Sequence, residues 1–331
     1  GHDWRAVAKA LEESKLVNAK KLRSVLIYMI TEKGHGIKTA TGDVAGSKLH
    51  AIGRPRTNEE RWDPHISKIV ARKMQENDKI DIVSSAMLYP MSLNIALGDA
   101  KIKHAPLSDT GFQRRVYNVG IAEGHAASFA AGLALSGRIP YLPYQSAFTR
   151  RAFDHILHDS GITYLHIVIG VAEVGVVENG GTHHGFYDLP MFCTIPNTTI
   201  LQPSNPDEMQ LAYDLAFAPD AKFIWVIRYA KYVSNYELKQ KIPPASLDNV
   251  NTSRPLWIRY PATHKTNIAV ISYGHIAACI RLLIEKNDLP IDLYSALWLK
   301  PIDLDSLNNI IKNYRRIILA EETVKYCGLG S

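Results

Sequence analysis

A glutamate stands where a predicted strand gives way to a predicted helix. Residues 116–122 are strand-like and lead into Glu123, and residues 124–134 are small and apolar, which is typical of a helix packed closely against a sheet. A carboxylate at this junction starts almost inside the core, and its burial is costly unless it is hydrogen-bonded or protonated. Such a group is suited to acid–base chemistry. The alternative is a helix cap, in which the carboxylate accepts from the free amides of the first turn.

Two other candidates for chemistry follow predicted strands. Phe148 comes shortly after a strand predicted at 139–144, and His183 lies in the loop 179–183 that follows the next strand. Ligands of parallel sheets gather beyond the carboxyl ends of the strands, so both side chains can converge with Glu123 on one crevice. An aromatic ring can stack on a planar ligand, and an imidazole can transfer protons near neutral pH. The alternatives are a core aromatic for Phe148 and an ordinary loop histidine for His183.

The elements that would position these side chains alternate between strand and helix from about residue 60 to 230, which is the signature of βαβ units and a parallel sheet. A stretch rich in Lys, Pro, Ser and Asn at 232–264 then predicts a linker, and a second α/β unit follows it. The predicted strands are 24–30, 80–84, 139–144, 165–170, 199–202, 223–228, 268–272, 291–295 and 316–322, and the predicted helices are 4–13, 148–159, 206–217 and about 276–285.

Composition excludes several classes of function. The chain has 331 residues, enough for two domains and a fragment of a third, with 46% hydrophobic and 21% charged residues. The net charge of +6 is scattered, without the basic stripe of a nucleic-acid-binding protein. No apolar run approaches the roughly 20 residues that span a bilayer. Three distant cysteines without CxxC spacing (Cys193, Cys279, Cys327) favour a reducing, cytoplasmic location over a disulfide framework or a zinc site.

Several ordered blocks of sequence carry a family signature over most of the chain. These are residues 1–3, 31–36, 48–50, 116–126, 144–159, 179–188, 195–197 and 202–204. Together they resemble the pyrimidine-binding domain of transketolase-like thiamine diphosphate enzymes, most of all the 1-deoxy-D-xylulose-5-phosphate synthases. The resemblance implies an α/β fold of three layers, α/β/α, with mostly parallel sheets and a smaller C-terminal α/β domain. The implied domains are the tail of a diphosphate-binding domain (1–55), a pyrimidine-binding domain (56–231), the linker (232–264) and a truncated transketolase C-terminal-type domain (265–331).

The resemblance also implies roles for single residues. Glu123 would hydrogen-bond N1′ of the aminopyrimidine ring of thiamine diphosphate, and Phe148 would stack on that ring. Gln145, where relatives carry a tyrosine, would lie beside the stack, and His50 would lie near the diphosphate unless it is a surface loop histidine. His183 would transfer a proton or bind the donor's oxygen. The substrate-binding residues implied are Arg151, Asn179, Lys231 and again His183.

The magnesium site of the family is missing from the sequence. Relatives hold Mg²⁺ and the diphosphate with a Gly-Asp-Gly segment and a downstream Asn, whereas Gly42-Asp43-Val44 and Gly98-Asp99-Ala100 both lack the third glycine. We therefore expect no metal ligands in these residues. The diphosphate-binding half would come from an absent first part of the protein or from a separate chain, and a homodimer is the assembly expected by analogy with the family.

The acceptor site departs from the family as well. Where the synthases have Asp-Arg-Ala-Gly, residues 171–174 read Val-Ala-Glu-Val, and their Arg-Tyr-Pro-Arg is Arg-Tyr-Ala-Lys at 228–231. Each lost anion contact removes about 1.5–3 kcal/mol of binding. The resemblance implies transfer of a two-carbon unit, derived from pyruvate, to an aldehyde, and these departures predict that the aldehyde is altered or unphosphorylated. The alternatives are a transketolase-like enzyme with a ketose donor and a non-catalytic subunit or fragment.

Overall fold

The computed structural model describes residues 1–21, 23–32, 35, 38–39, 42–43, 61–93, 115–243 and 254–331. The chain divides into two compact units, Gly1–Arg56 and Thr57–Ser331. The strands in chain order are β1 (Lys38–Thr39), β2 (Gly42–Asp43), β3 (Ile80–Ser84), β4 (Val116–Asn118), β5 (Ile139–Gln145), β6 (Ile167–Ala172), β7 (Thr198–Leu201), β8 (Ile224–Arg228), β9 (Ile258–Tyr260), β10 (Ile268–Ser272), β11 (Asp292–Ser295), β12 (Trp298–Lys300) and β13 (Arg316–Ala320). The helices are α1 (Trp4–Lys21), α2 (Asp63–Glu76), α3 (Glu123–Leu135), α4 (Ser146–Thr149), α5 (Phe153–His155), α6 (Asp188–Thr194), α7 (Pro206–Ala216), α8 (Gly274–Asn287) and α9 (Leu304–Asn313).

The first unit contains α1 and the short antiparallel pair of β1 and β2. The helix predicted at 4–13 continues to Lys21. The strand predicted at 24–30 is wrong, because these residues have no regular secondary structure and Leu26 is 91% exposed. An apolar run becomes a strand only where another strand satisfies its backbone groups, and periodicity does not reveal a partner. His50 lies outside the described residues.

The larger sheet of the second unit has the order β12-β7-β8-β6-β5-β3-β4. Its pairings are parallel except that of β12 with β7. Successive residues of a strand enter opposite cores: Ile82 and Tyr141 pack with α2 and α7, and Val83 and Leu142 pack with α3. Helices therefore cover both faces, and the predicted three-layer α/β/α fold with a mostly parallel sheet is confirmed.

The segment predicted as one helix at 148–159 is not one regular helix. It contains the end of α4, a 3₁₀ turn at Arg150–Ala152, α5, and a π-helical turn at Ile156–Gly161. These changes of hydrogen-bond spacing alter which side chains share a face, and apolar periodicity cannot predict them. Phe148 and Arg151 consequently lie in the first turns of the segment, just after the carboxyl end of β5.

The smaller sheet of the second unit has the order β13-β10-β11-β9. Its β9 lies inside the stretch predicted as a linker at 232–264, where Ile258 and Tyr260 are buried and the intervening Arg259 is exposed. This alternation is a strand pattern, and β9 pairs with β11 in antiparallel register, so the end of the predicted linker is sheet. Among the described residues, no helix is long and apolar enough to cross a membrane.

Candidate active site

The turn between β4 and α3 places Glu123 at the carboxyl edge of the large sheet. The side chain of Asn118 accepts hydrogen bonds from the backbone amides of Gly120 (3.2 Å) and Ala86 (3.2 Å). Gly120 has a φ of 77°, which favours glycine because a side chain would be strained there. The chain then enters α3 with Glu123 as its first residue, only 5% exposed.

Two neighbouring side chains hold Glu123 in place. The hydroxyl of Tyr144, at the end of β5, donates to the backbone carbonyl of Glu123 over 2.8 Å. Burial, and then the charge of Glu123, raise the pKa of Tyr144, so its proton stays available for that bond. The carboxylate oxygen Oε1 lies 3.5 Å from Nη1 of Arg151. Within the described residues the carboxylate thus contacts a guanidinium rather than the amides of the first turn of α3.

Phe148 and His183 complete a continuous group with Glu123 and Arg151. The guanidinium carbon of Arg151 lies 5.6 Å from the centre of the Phe148 ring. The rings of Phe148 and His183 meet edge to face, with centroids 5.7 Å apart and planes at 77°. Four residues singled out in the sequence, from three different connections of the sheet, therefore lie in one row beyond its carboxyl edge.

The loop that carries His183 is fixed by its own backbone. The amide of His183 donates to the carbonyl of Gly180 (2.9 Å), whose φ is 84°, and the hydroxyl of Thr182 lies 2.8 Å from Nδ1 of His183. His184 has a structural contact instead, since its Nδ1 accepts from the amide of Val177 (3.2 Å). Asn179 lies in the same loop, four residues before His183, and its side chain is exposed.

Gln145 and Lys231 meet at a glutamate that the sequence analysis did not select. Gln145 donates its amide N–H to Glu173, and Nζ of Lys231 lies 3.1 Å from Glu173 and 2.9 Å from Glu178. Burial lowers the pKa of Lys231, but the hydrogen bond to Glu178 and the charge of Glu173 outweigh it and raise that pKa overall. The ammonium group expected to bind substrate is thus neutralised within the chain. Glu173 could have been identified in the sequence as a single acidic residue directly after the apolar strand β6.

Glu173 has unusual surroundings. It is 6% exposed and has a φ of 59°, a left-handed conformation that is uncommon outside glycine. A second buried carboxylate, Asp63, is bound by Arg61 and Tyr229. Burial raises the pKa of Asp63 to about 6 against the effect of Arg61, and the charge of Glu173 contributes in the same direction. Two buried carboxylates, Glu173 and Asp63, consequently lie close enough for their charges to interact.

A buried ion pair connects the end of β8 with the start of α6. Nε of Arg228 lies 2.6 Å from Oδ2 of Asp188, and both side chains are fully buried. The hydroxyl of Ser146 donates to Asp188 over 2.9 Å, and Arg228 also donates to the side-chain oxygen of Gln202. Sequence reasoning missed this network, although Ser146, Asp188 and Gln202 all lie in the blocks that carry the family signature.

Metal ligands are not grouped in the part of the chain that the structure describes. No set of three or more His, Cys, Asp or Glu side chains there is placed to hold a metal ion. The arrangement at Glu123 offers other chemistry, because a buried carboxylate, an aromatic ring and an imidazole lie in one row.

Comparisons with known proteins agree with this geometry. The family described as "Transketolase, pyrimidine binding domain" matches residues 32–234. The 1-deoxy-D-xylulose-5-phosphate synthases of Azobacteroides pseudotrichonymphae (32% identity over 350 residues) and Parabacteroides distasonis (32% over 345) each match 100% of this chain and are themselves covered to 51%. That of Lysinibacillus sphaericus is 30% identical over 346 residues, with 100% of this chain and 50% of the relative covered. The chain thus spans about half the length of these curated relatives.

Solved structures show the same fold. A structure described as "Split gene transketolase, inactive beta4 tetramer" superposes with a TM-score of 0.62 at 20% identity, covering 82% of this chain and 83% of the other. The transketolase from Leishmania mexicana gives a TM-score of 0.65 at 15% identity, covering 85% of this chain and 41% of the other. The family match over most of the chain, the relatives at about 30% identity and the row of side chains beyond β4 and β5 agree. The chain therefore belongs to the transketolase-like thiamine diphosphate enzymes, near the 1-deoxy-D-xylulose-5-phosphate synthases.

Proposed function

We propose that this chain is the pyrimidine-binding half of a thiamine diphosphate-dependent transferase that passes a two-carbon unit, derived from pyruvate, to an aldehyde. The observation that carries the proposal is the row formed by Glu123, Arg151, Phe148 and His183, with Glu123 buried at its inner end. A scaffold has no physical need for this combination. We place the protein in the cytoplasm, where its three free cysteines stay reduced.

The residues present fit the pyrimidine end of the cofactor. The guanidinium of Arg151 is planar and carries N–H donors, and it already makes the two contacts that an aminopyrimidine requires: one with a buried carboxylate and one with an aromatic ring. Glu123 and Phe148 are thus arranged for a flat, N–H-bearing group. The Arg151 side chain is 61% exposed, so it can move aside at little cost.

Each residue would then have a defined part. Thiamine diphosphate, when bound, supplies the carbanion chemistry of the reaction. Glu123 would hold a hydrogen bond at N1′ of the pyrimidine, and Phe148 would fix the ring by stacking. His183, whose ring contacts that of Phe148, would hold or move a proton at the oxygen of the donor. Arg151, displaced from Glu123, and Asn179 would contact the substrates from the rim of the crevice.

The diphosphate and Mg²⁺ would be held by residues outside this sequence. Those residues belong either to the rest of a longer protein or to a separate chain in the assembly. The half-length match to the synthases supports this, as does the likeness in size to a chain described as the product of a split gene. By analogy with the family, two copies of the pyrimidine-binding half would be present, as in a homodimer.

Titration with thiamine diphosphate tests the proposal directly. For the full assembly that contains this chain, we expect binding that requires Mg²⁺ and weakens about fivefold in Phe148→Leu, because the stacking contributes about 1 kcal/mol beyond the apolar area. Phe153→Leu, in the same segment but partly buried against the core, is the matched control and should leave the affinity unchanged. Binding that is absent from the assembly, or equal in the two variants, would contradict the proposed site.

Carbon dioxide release separates the two possible donors. A pyruvate-derived unit requires decarboxylation, whereas a ketose donor, as in a transketolase-like enzyme, releases an aldose and no carbon dioxide. Binding of the cofactor without turnover of either donor would favour the non-catalytic subunit.

The carboxylates beside Lys231 favour an unphosphorylated acceptor. Glu173 and Glu178 neutralise its ammonium group, so little positive charge remains there for a phosphate. We expect kcat/KM to be greater for glyceraldehyde than for glyceraldehyde 3-phosphate. Glu173→Gln should raise kcat/KM for glyceraldehyde 3-phosphate, relative to that for glyceraldehyde, about tenfold. This is the effect of one additional hydrogen bond between a charged lysine and the phosphate.

Glu178→Gln is the control for this change of specificity. Glu178 also binds Lys231 but is 48% exposed, so removing its charge should change the ratio much less. A wild-type enzyme that prefers glyceraldehyde 3-phosphate would show that the neutralised lysine does not set the acceptor.

A further inference from the structure

A cysteine, a histidine and a glutamate, none of them part of the row at Glu123, form a hydrogen-bonded line on the second unit. Cys279 and His275 are four residues apart on α8, so their side chains meet on one face of the helix, with Sγ of Cys279 3.5 Å from Nε2 of His275. Nδ1 of His275 lies 3.0 Å from Oε1 of Glu237, which comes from a 3₁₀ turn in another part of the chain. Cys279 itself is exposed.

Glu237, at the buried end of this line, sets the orientation of the His275 ring. Glu237 is only 1% exposed, and its second oxygen accepts from the backbone amide of Ser234 over 2.7 Å. The carboxylate is thus held in position and accepts the Nδ1–H of His275, which turns Nε2 toward the thiol. The contacts with Cys279 and then with Glu237 raise the pKa of His275 to about 10, against the effect of burial.

We propose that Cys279 is a reactive thiolate, paired with a protonated His275 that Glu237 orients, and that it is a site of covalent modification by peroxide-class oxidants. The thiol proton resides on Nε2 of His275, and the sulfur carries the negative charge. The thiolate attacks one oxygen of hydrogen peroxide, the S–O bond forms and the O–O bond breaks. The departing hydroxide takes the Nε2 proton and leaves as water, so cysteine is oxidised to sulfenic acid while peroxide is reduced.

The other two cysteines serve as comparisons within the same chain. Cys193 is half-buried, and burial raises the pKa of its thiol, which opposes thiolate formation. Cys327 is exposed like Cys279, but within the described residues it has no hydrogen bond with a histidine. Differences in accessibility alone therefore cannot explain a difference in rate between Cys279 and Cys327.

Site-resolved alkylation of the intact, folded chain tests the inference. With iodoacetamide slightly below neutral pH, Cys279 should react at least about tenfold faster than Cys327, since a paired thiolate persists where an ordinary thiol is protonated. Peptide mass mapping assigns the rate to each cysteine. Hydrogen peroxide followed by dimedone should label Cys279 first. Equal rates at the two cysteines would overturn the proposal without any variant.

His275→Gln tests whether the histidine stabilises the thiolate of Cys279. This variant should bring the rate at Cys279 to within about threefold of Cys327, because the imidazolium that stabilises the thiolate is gone. His264→Gln is the matched control: it removes another histidine–carboxylate pair, with Asp288 at 2.9 Å, and should leave the rate at Cys279 unchanged. If the alkylation rate of Cys279 is unchanged in His275→Gln, with circular dichroism equal to that of the wild type, His275 does not stabilise the thiolate.

Discussion

Replacing Glu123 by glutamine is expected to lower kcat of the assembled enzyme by about 10²- to 10⁴-fold, the range for loss of a positioned acid–base group. Glutamine keeps the shape of the side chain, but its amide cannot exchange a proton with N1′ of the pyrimidine ring. The change acts at the buried end of the row, where Phe148 and the backbone bond from Tyr144 are left in place. Steady-state turnover with donor and acceptor at saturation measures the effect.

The fold should tolerate this substitution. The ion pair of Glu123 with Arg151 contributes about 0–1 kcal/mol, because the guanidinium is mostly exposed and the atoms are 3.5 Å apart. Glutamine also avoids the cost of burying a charge. The melting temperature should therefore stay close to that of the wild type, which separates lost chemistry from lost structure.

Asp154→Asn is the control for Glu123→Gln. It removes an exposed carboxylate of α5 that pairs with His158 at 2.9 Å, and it should change neither turnover nor melting temperature. Full activity in Glu123→Gln would remove Glu123 from the mechanism. Loss of activity in both variants would indicate a general sensitivity to charge in this segment.

Local sequence was sufficient for the position of Glu123. The strand-like run before it and the small residues after it both follow from neighbours in the chain, and the structure has β4 and α3 there. The large parallel sheet was predictable for the same reason, because each strand and helix has its own periodicity. Residues 24–30 show the limit: an apolar pattern does not say whether a partner strand exists.

The pairing of Lys231 with Glu173 could not be predicted from the chain. The two residues follow β8 and β6, which are neighbours only because of the strand order of the sheet. The sequence predicts Lys231 as a substrate-binding residue, and its contacts with Glu173 and Glu178 depend on partners that are distant in the chain. The line from Cys279 to Glu237 has the same origin, since only its helical half is visible as an i, i+4 spacing.

Breaking the buried pair of Asp188 and Arg228 is expected to have the largest effect on stability. Asp188→Asn should lower the free energy of unfolding by about 3–5 kcal/mol, because it leaves a fully buried guanidinium without its counter-charge. Ser146 would lose a charged acceptor, and Gln202 alone cannot compensate for the carboxylate. Urea denaturation measures the loss as a lower midpoint at an unchanged slope.

A partly exposed pair of similar length gives the control for Asp188→Asn. Glu285→Gln removes the charge that faces Arg281 at 2.8 Å on α8, and its amide oxygen can still accept from the hydroxyl of Tyr236. Because the Glu285 side chain is 48% exposed, the change should cost only about 0.3–0.5 kcal/mol. Equal losses in the two variants would mean that burial does not set the strength of the Asp188 pair.

The position of this pair also makes stability and function inseparable at the site. Ser146 begins the helix that carries Phe148, and Asp188 begins α6 directly after the loop of His183. If the pair fixes the positions of these two elements, Asp188→Asn should weaken thiamine diphosphate binding even in the absence of urea, where the variant is still folded. A destabilised variant with unchanged cofactor affinity would instead show that the row at Glu123 is held by its own contacts.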